Sequence, residues 1–168
     1  MPQPPRYYMN SGMAYEIERK FLVTDQTWRA EVSDSVLMLQ AYICSDPQSA
    51  VRVRTAGERA WLTVKSALTH LKRAEYEYEV PLADAIEMLN LCTRPPLEKV
   101  RHSLTHAGRH WVIDEYRGEN GGLVVAEIEM DSEDEDFERP AWVGEEVSED
   151  PRYLSVCLYE RPYKSWKI

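Results

Sequence analysis

Long hydrophobic runs and paired cysteines are both missing from this chain of 168 residues. No apolar stretch approaches the roughly 20 residues that a membrane-spanning helix needs. Residues 1–14 are polar and contain no apolar core of a signal peptide, so we expect a cytoplasmic protein. The three cysteines, Cys44, Cys92 and Cys157, are widely spaced and form no Cys-x-x-Cys motif. The sequence therefore predicts neither a disulfide framework nor a cysteine-ligated zinc site.

Basic side chains are in deficit. The chain has 20 Lys and Arg against 29 Asp and Glu, which gives a net charge of −9. This excess of acid disfavours nonspecific binding to DNA or RNA, which depends on a basic surface. Hydrophobic residues make up 43% of the chain, which is typical of a folded globular protein of one domain. We expect a flexible leader at residues 1–13 and a single domain at residues 14–168.

Period-two alternation of apolar and polar residues predicts eight β-strands. The predicted strands cover residues 15–23, 36–44, 50–55, 59–66, 73–80, 97–104, 110–117 and 123–131. Gly57 predicts a hairpin turn between the third and fourth of them. Helical spacing predicts a short helix over residues 82–92. Capping signals predict two more short helices, one starting at Ser132 and one over residues 150–158 after Ser148.

Charge recurs on one face of nearly every predicted strand, because residues two apart in sequence share a face. Like charges lie two apart in three of the strands, at Glu16 and Glu18, Arg52 and Arg54, and Glu127 and Glu129. Such pairs repel unless an opposite charge lies between them. Paired acids suit divalent cations, and clustered arginines suit phosphate oxygens.

Two interpretations of these charged faces stay open. They could form the solvated outer face of a sheet, or they could line the inside of a closed barrel. Inward charges without a ligand would carry a heavy desolvation cost, which a wet tunnel holding metal and a polyanion would offset. The second interpretation also accounts for the acidic net charge, because the bases would be concentrated inside.

Seven motifs in chain order resemble the CYTH superfamily, the triphosphate tunnel metalloenzymes. They are Glu16-Ile17-Glu18-Arg19-Lys20, Val51-Arg52-Val53-Arg54, Leu62-Thr63-Val64-Lys65, Arg73-Ala74-Glu75-Tyr76-Glu77, Glu98-Lys99-Val100-Arg101, Ile113-Asp114 and Ala126-Glu127-Ile128-Glu129. With the tail at residues 142–153, the resemblance covers about residues 14–157 and is greatest to the compact bacterial inorganic triphosphatases. It implies a mainly β (α+β) fold, a closed eight-stranded antiparallel β-barrel tunnel with a few short outer helices.

The resemblance implies metal-dependent hydrolysis of inorganic triphosphate to diphosphate and phosphate inside the tunnel. Two alternatives stay open. One is an enzyme for an organic triphosphate, namely a thiamine triphosphatase, a nucleoside triphosphatase or a class IV adenylyl cyclase. The other is a non-catalytic module that binds polyphosphate. The expected partner is a small polyanion, with no nucleic acid and no membrane, and the protein is expected to be a monomer or a homodimer.

The motifs also imply site residues. Carboxylate oxygens without His or Cys suit Mg²⁺ or Mn²⁺, and the expected metal ligands are Glu16, Glu18, Asp114, Glu127 and Glu129. The expected substrate-binding residues are Lys20, Arg52, Arg54, Lys65, Glu75, Glu77, Arg101 and Arg152. The resemblance implies a catalytic dyad in which the Lys99 ammonium lowers the pKa of the Tyr42 phenol. The alternative left open is that Tyr42 only hydrogen-bonds the residues that bind phosphate.

Overall fold

The computed structural model describes residues 17–45, 49–66, 75–132 and 134–166. Its strands form one antiparallel sheet of nine members. They are β1 (Ile17–Val23), β2 (Val32–Ser45), β3 (Ser49–Ala56), β4 (Arg59–Ser66), β5 (Glu75–Val80), β6 (Leu97–His106), β7 (Arg109–Tyr116), β8 (Val124–Met130) and β9 (Val143–Glu146). The helices are α1 (Leu82–Leu91), α2 (Ser155–Glu160) and four short 3-10 turns at Thr27–Glu31, Gly118–Asn120, Pro151–Tyr153 and Tyr163–Ser165. The predicted mainly β antiparallel fold with few helices is confirmed.

The predicted closed barrel of eight strands is wrong, because the sheet has nine strands and stays open. Its order is β5-β4-β3-β2-β6-β7-β8-β1-β9, and within the described residues the two end strands do not pair with each other. β1 pairs with β8 along one edge and with β9 along the other. β9 pairs with β1 only at Phe21 and Val23, and β5 has only β4 as a described partner.

β9 is the strand that the sequence did not predict. Gly144 lets β9 approach the end of β1 closely. A Cβ atom at this position would lie 2.8 Å from Cγ2 of Thr24 and 3.1 Å from the carbonyl oxygen of Leu22. An ion pair also holds it, because Arg19 donates to the two carboxylate oxygens of Glu146 at 2.8 and 2.5 Å. Neither feature produces the period-two hydrophobicity by which the other strands are predicted.

The helices and turns agree only partly with the sequence-based expectation. The hairpin between β3 and β4 is confirmed, with Gly57 at a φ of +57°, and so is the helix α1. The helix predicted to start at Ser132 is wrong for the described residues, where the Glu135 carboxylate instead accepts a hydrogen bond from the Asp131 backbone at 2.7 Å. No helix in the described part of the chain is long and apolar enough to span a membrane.

Large apolar side chains fill the outer face of the sheet. Phe21, Trp28, Trp111 and Trp142 are all fully or almost fully buried there, in a cluster with the apolar residues of β1, β7 and β8. Further along the sheet, α1 covers β2, β3 and β4. Because side chains alternate across a strand, burying this face leaves the charged residues on the opposite, inner face.

Candidate active site

A cavity of about 520 Å³ lies on the inner face of the sheet. Side chains from β5, at one end of the sheet, and from β1, next to the other end, both line it, so the sheet is curved around it. Residues 154–156, at the start of α2, border one end. Its basic lining residues are Lys20, Arg52, Arg54, Lys65, Lys99 and Arg101. Its acidic lining residues are Glu18, Glu75, Glu77, Glu127 and Glu129.

Lys20 connects the acids of β1 and β8. Its ammonium contacts the Glu18 carboxylate and lies 2.5 Å from Oε1 of Glu127. Burial alone would lower the pKa of Lys20, but Glu127 and Glu18 more than offset that effect and raise it. The ammonium is therefore charged at neutral pH, and two carboxylates converge on a single cation.

Asp114 is the buried anchor of the β6 bases. Arg101 donates to both of its oxygens at 2.7 Å, and the Lys99 ammonium contacts it too. Burial would raise the pKa of Asp114, but the neighbouring Lys99 and Arg101 hold it well below its usual range. Arg101 also reaches Oε2 of Glu127 at 2.9 Å, which joins this group to the acids of β8.

Asp114, expected as a metal ligand, lies behind Lys99 and Arg101 in the described structure, and its role toward metal stays a prediction. The side chain is fully buried and does not line the cavity, because Lys99 and Arg101 occupy its oxygens. Its geometry suits holding those two bases in place. Burial lowers the pKa of Lys99, and the attraction of Asp114 opposes that shift.

A second ionic group crosses β3, β4 and β5. Nη2 of Arg54 lies 3.1 Å from each carboxylate oxygen of Glu77, and Nη2 of Arg52 lies 3.3 Å from Glu77 and 3.4 Å from Glu75. Lys65 lies 2.9 Å from Glu75. The acids of β5 therefore lie where they can orient these three bases. Burial, and then repulsion from Arg52, lowers the pKa of Arg54.

Tyr42 and Lys99, the predicted dyad, both line the cavity, but no described hydrogen bond joins them. Lys99 lies opposite Met38 in the register of β2 and β6, and Tyr42 lies beyond the last paired residue of that register, Gln40. The Tyr42 hydroxyl instead hydrogen-bonds Arg52. Burial outweighs the attraction of Arg52 and raises the pKa of Tyr42 to about 12, so the phenol is protonated at neutral pH. This geometry agrees with the alternative that Tyr42 supports a phosphate-binding arginine.

Arg152, another predicted residue, does not line the cavity. Arg152 is expected from its motif to reach in from the C-terminal segment, but its exposed side chain pairs with Asp150 at 2.6 Å. It also lies 5.1 Å from the ring centroid of Trp166, and these contacts hold it on the outer surface. Glu16 lies outside the described residues.

Sequence reasoning assigned no role to three buried polar residues of the inner face. Thr63 is fully buried, donates to Glu77 at 3.0 Å and accepts from Arg52 at 3.2 Å. The Tyr116 ring lies 5.6 Å from the Lys99 ammonium, and burial raises the pKa of this phenol well above its ordinary value. Gln40 borders the cavity although only 1% of it is exposed. The shared strand face was the signal that could have found them.

The carboxylates fit a hard divalent cation by their chemistry. Glu18 lies directly opposite Glu129 in the register of β1 and β8, and like charges so placed repel unless a cation lies between them. Glu127 already shares one cation, the Lys20 ammonium, with Glu18. In the described ranges no three carboxylate, His or Cys side chains are gathered into a metal site. Carboxylate oxygens are donors that suit a hard divalent cation. In the described structure the Lys20 ammonium joins Glu18 to Glu127.

Comparison with known proteins identifies the family of the chain. An inorganic triphosphatase of Acetivibrio thermocellus is 44% identical over 156 residues, which are 92% of this chain and 99% of that protein. An inorganic triphosphatase of Nitrosomonas europaea is 36% identical over 148 residues, or 85% of this chain and 95% of that protein. A crystal structure of an inorganic triphosphatase, 32% identical, matches with a TM-score of 0.66 over 88% of this chain and 95% of that one. Residues 14–163 match the model of the CYTH domain, and the chain belongs to the CYTH domain family.

Proposed function

We propose that this chain hydrolyses inorganic triphosphate to diphosphate and phosphate in the cavity on the inner face of its sheet. The observation that carries the proposal is the convergence of basic and acidic side chains from β1, β3, β4, β5, β6 and β8 on one cavity. A linear triphosphate presents many negative oxygens and no base or sugar, and this lining offers chiefly charged groups. The relatives described as inorganic triphosphatases support the same substrate.

The residues of the chain act mainly by position and charge. Phosphoryl transfer depends more on in-line positioning and charge neutralisation than on covalent help from the protein. Arg52, Arg54 and Lys65 bind phosphate oxygens on one side of the cavity, and Lys99 and Arg101 bind them on another. The acids that contact these bases hold them in fixed directions before substrate arrives, which lowers the cost of ordering them.

A divalent cation completes the proposed site. The carboxylates of Glu18, Glu127 and Glu129 would hold Mg²⁺ or Mn²⁺, together with Glu16, which the sequence motif adds to the set. When bound, the cation would neutralise negative charge on phosphate oxygens.

The function is tested by release of phosphate from inorganic triphosphate, ATP and thiamine triphosphate, each with Mg²⁺, with Mn²⁺ or with EDTA. We expect the fastest release from inorganic triphosphate with a divalent cation, and only background release with EDTA. Faster turnover of ATP or thiamine triphosphate would instead assign an organic triphosphate as substrate. Binding of triphosphate without turnover under any of these conditions would indicate a non-catalytic module.

Removing the Tyr42 hydroxyl tests whether it acts as a base. We expect Tyr42→Phe to keep kcat for triphosphate within about threefold, because a phenol with a pKa of about 12 is protonated at working pH. Loss of the hydrogen bond to Arg52 should raise KM by roughly threefold to tenfold. Tyr159→Phe is the matched control, since that buried tyrosine packs against Tyr42 and donates to the Arg94 carbonyl at 3.2 Å, outside the cavity lining.

The raised pKa of Tyr42 also predicts how the stability of the wild-type protein depends on pH. The folded pKa of Tyr42 lies above the unfolded value of about 10, so the protonated phenol contributes stability that is complete below that pH. This contribution is lost as pH rises through about 12. The kcat profiles of wild type and Tyr42→Phe should therefore coincide up to about pH 10. A fall in kcat of about a hundredfold or more in the variant would contradict this and restore the base role.

A further inference from the structure

Gln40 is a buried residue at the edge of the cavity whose amide donor has no partner among the described residues. It lies on β2 between Arg54 of β3 and Leu97 of β6, and only 1% of it is exposed. Within the described residues its side-chain Nε2 has no hydrogen-bond partner. A buried amide N–H that is left unpaired costs free energy, so such groups usually have a partner.

Two more donors without a partner lie beside Gln40. Nε of Arg52 and Nε of Arg54 are also buried and unpaired among the described residues, although the Nη2 atoms of both arginines contact Glu77. Gln40 lies opposite Arg54 in the register of β2 and β3, and Tyr42, two residues on, lies opposite Arg52. Three N–H donors from two adjacent strands are therefore grouped at one side of the cavity.

This group differs from the other unpaired donors of the described chain. Nε1 of Trp28 and Nε1 of Trp111 are also unpaired, but both rings lie in the apolar cluster of the outer face. Across the cavity, Lys20, Lys99 and Arg101 each have a carboxylate in contact. Unpaired donors that also border the cavity are therefore concentrated around Gln40.

We propose that Gln40 is a substrate-binding residue whose side-chain amide donates from Nε2 to an oxygen of the phosphate group held by Arg52 and Arg54. This inference rests on the proposed triphosphate site and adds a contact to it. The amide adds no charge, so its contribution is directional: it fixes one phosphate oxygen relative to β2 while the two arginines neutralise the group. A phosphate oxygen is an acceptor that suits all three unpaired donors.

Gln40→Met tests the contact, because it keeps the length of the side chain and removes the donor. KM for inorganic triphosphate with Mg²⁺ should rise about tenfold to a hundredfold, the range for a hydrogen bond to a charged group. Triphosphate in EDTA should also raise the Tm of the protein, and the triphosphate concentration that gives half of this rise should increase by a similar factor in the variant. Without triphosphate, the Tm of the variant should equal or exceed that of wild type, because an unpaired buried amide has been removed.

Asn120→Leu is the matched control. This buried amide also lies in the core, but its donor reaches the Leu158 carbonyl at 3.3 Å and its oxygen accepts from the Tyr163 backbone at 2.8 Å. Its replacement should lower Tm without ligand and leave KM within about twofold, since only internal hydrogen bonds are lost. Gln40→Glu is a second test variant, and it should raise KM more than Gln40→Met because a carboxylate repels phosphate.

The outcomes separate this inference from the proposed function. An unchanged KM in both Gln40 variants, with wild type turning over triphosphate, would overturn the role of Gln40 alone. A lower Tm without ligand together with an unchanged KM would show a structural role and overturn it equally. A wild-type protein that neither binds nor hydrolyses triphosphate would overturn both.

Discussion

Replacing Asp114 with asparagine is expected to lower the free energy of unfolding by about 3–5 kcal/mol, the usual cost of breaking a buried ion pair by removing one partner. The carboxylate is fully buried and is shared by Lys99 and Arg101. Asparagine keeps the shape of the side chain but leaves the buried Lys99 ammonium and the half-buried Arg101 guanidinium facing a neutral amide. Urea denaturation followed by tryptophan fluorescence measures this change directly.

Glu115→Gln is the control for the stability prediction. Glu115 is next to Asp114 on β7 and also contacts an arginine, Arg29, at 2.8 Å, but both of these side chains are partly exposed. Surface ion pairs contribute about 0–1 kcal/mol, so this variant should lose little stability. If Asp114→Asn were no more destabilising than Glu115→Gln, the buried ionic anchor would not stabilise the fold as argued.

The second large effect is expected in catalysis. Arg54→Ala should lower kcat/KM for inorganic triphosphate by about 10²–10³-fold, the loss typical of removing one preorganised charged donor from a transition state. Arg54 lines the cavity, and Glu77 contacts it with both oxygens at 3.1 Å. Its removal takes away a positive charge and also leaves Glu77 with one arginine fewer, which makes the cavity more negative.

Arg59→Ala is the matched control for that loss. Arg59 lies on β4 and pairs with Glu79 of β5 at 2.7 Å, so it too joins an arginine to an acid of the edge strand. It is exposed and does not line the cavity. Activity should remain within about twofold of wild type, as expected for an exposed ion pair. Equal losses in the two variants would place the functional site elsewhere.

Period-two alternation predicts the strands and the shared charged face well, because alternation is a local property of an extended chain. It places Arg52 with Arg54 and Glu127 with Glu129 on common strand faces, and both pairs line the cavity. Local patterning does not reveal which edge a short strand will cover. The place of β9 beside β1 depends on Gly144 and on a contact between residues 19 and 146, far apart in sequence.

The sequence also could not show which side chains of the site contact each other. A shared face puts Asp114 among several cations, but the pattern cannot show that Lys99 and Arg101 are the two that contact its oxygens. The separation of Tyr42 from Lys99 depends on the register of β2 and β6, which the pairing of distant residues determines. The C-terminal motif likewise predicts Arg152 in the cavity. In the structure its side chain instead pairs with the neighbouring Asp150.

The central claim is that acids and bases from separate strands bind one triphosphate and one divalent cation in the same cavity. A crystal structure with Mn²⁺ and imidotriphosphate, an analogue that resists hydrolysis, tests it most directly. We expect the anomalous signal of Mn²⁺ beside Glu18, Glu127 and Glu129, and phosphate oxygens within hydrogen-bond distance of Arg52, Arg54 and Gln40. An analogue bound outside the cavity, with Arg52 and Arg54 still paired only to Glu75 and Glu77, would contradict the proposal.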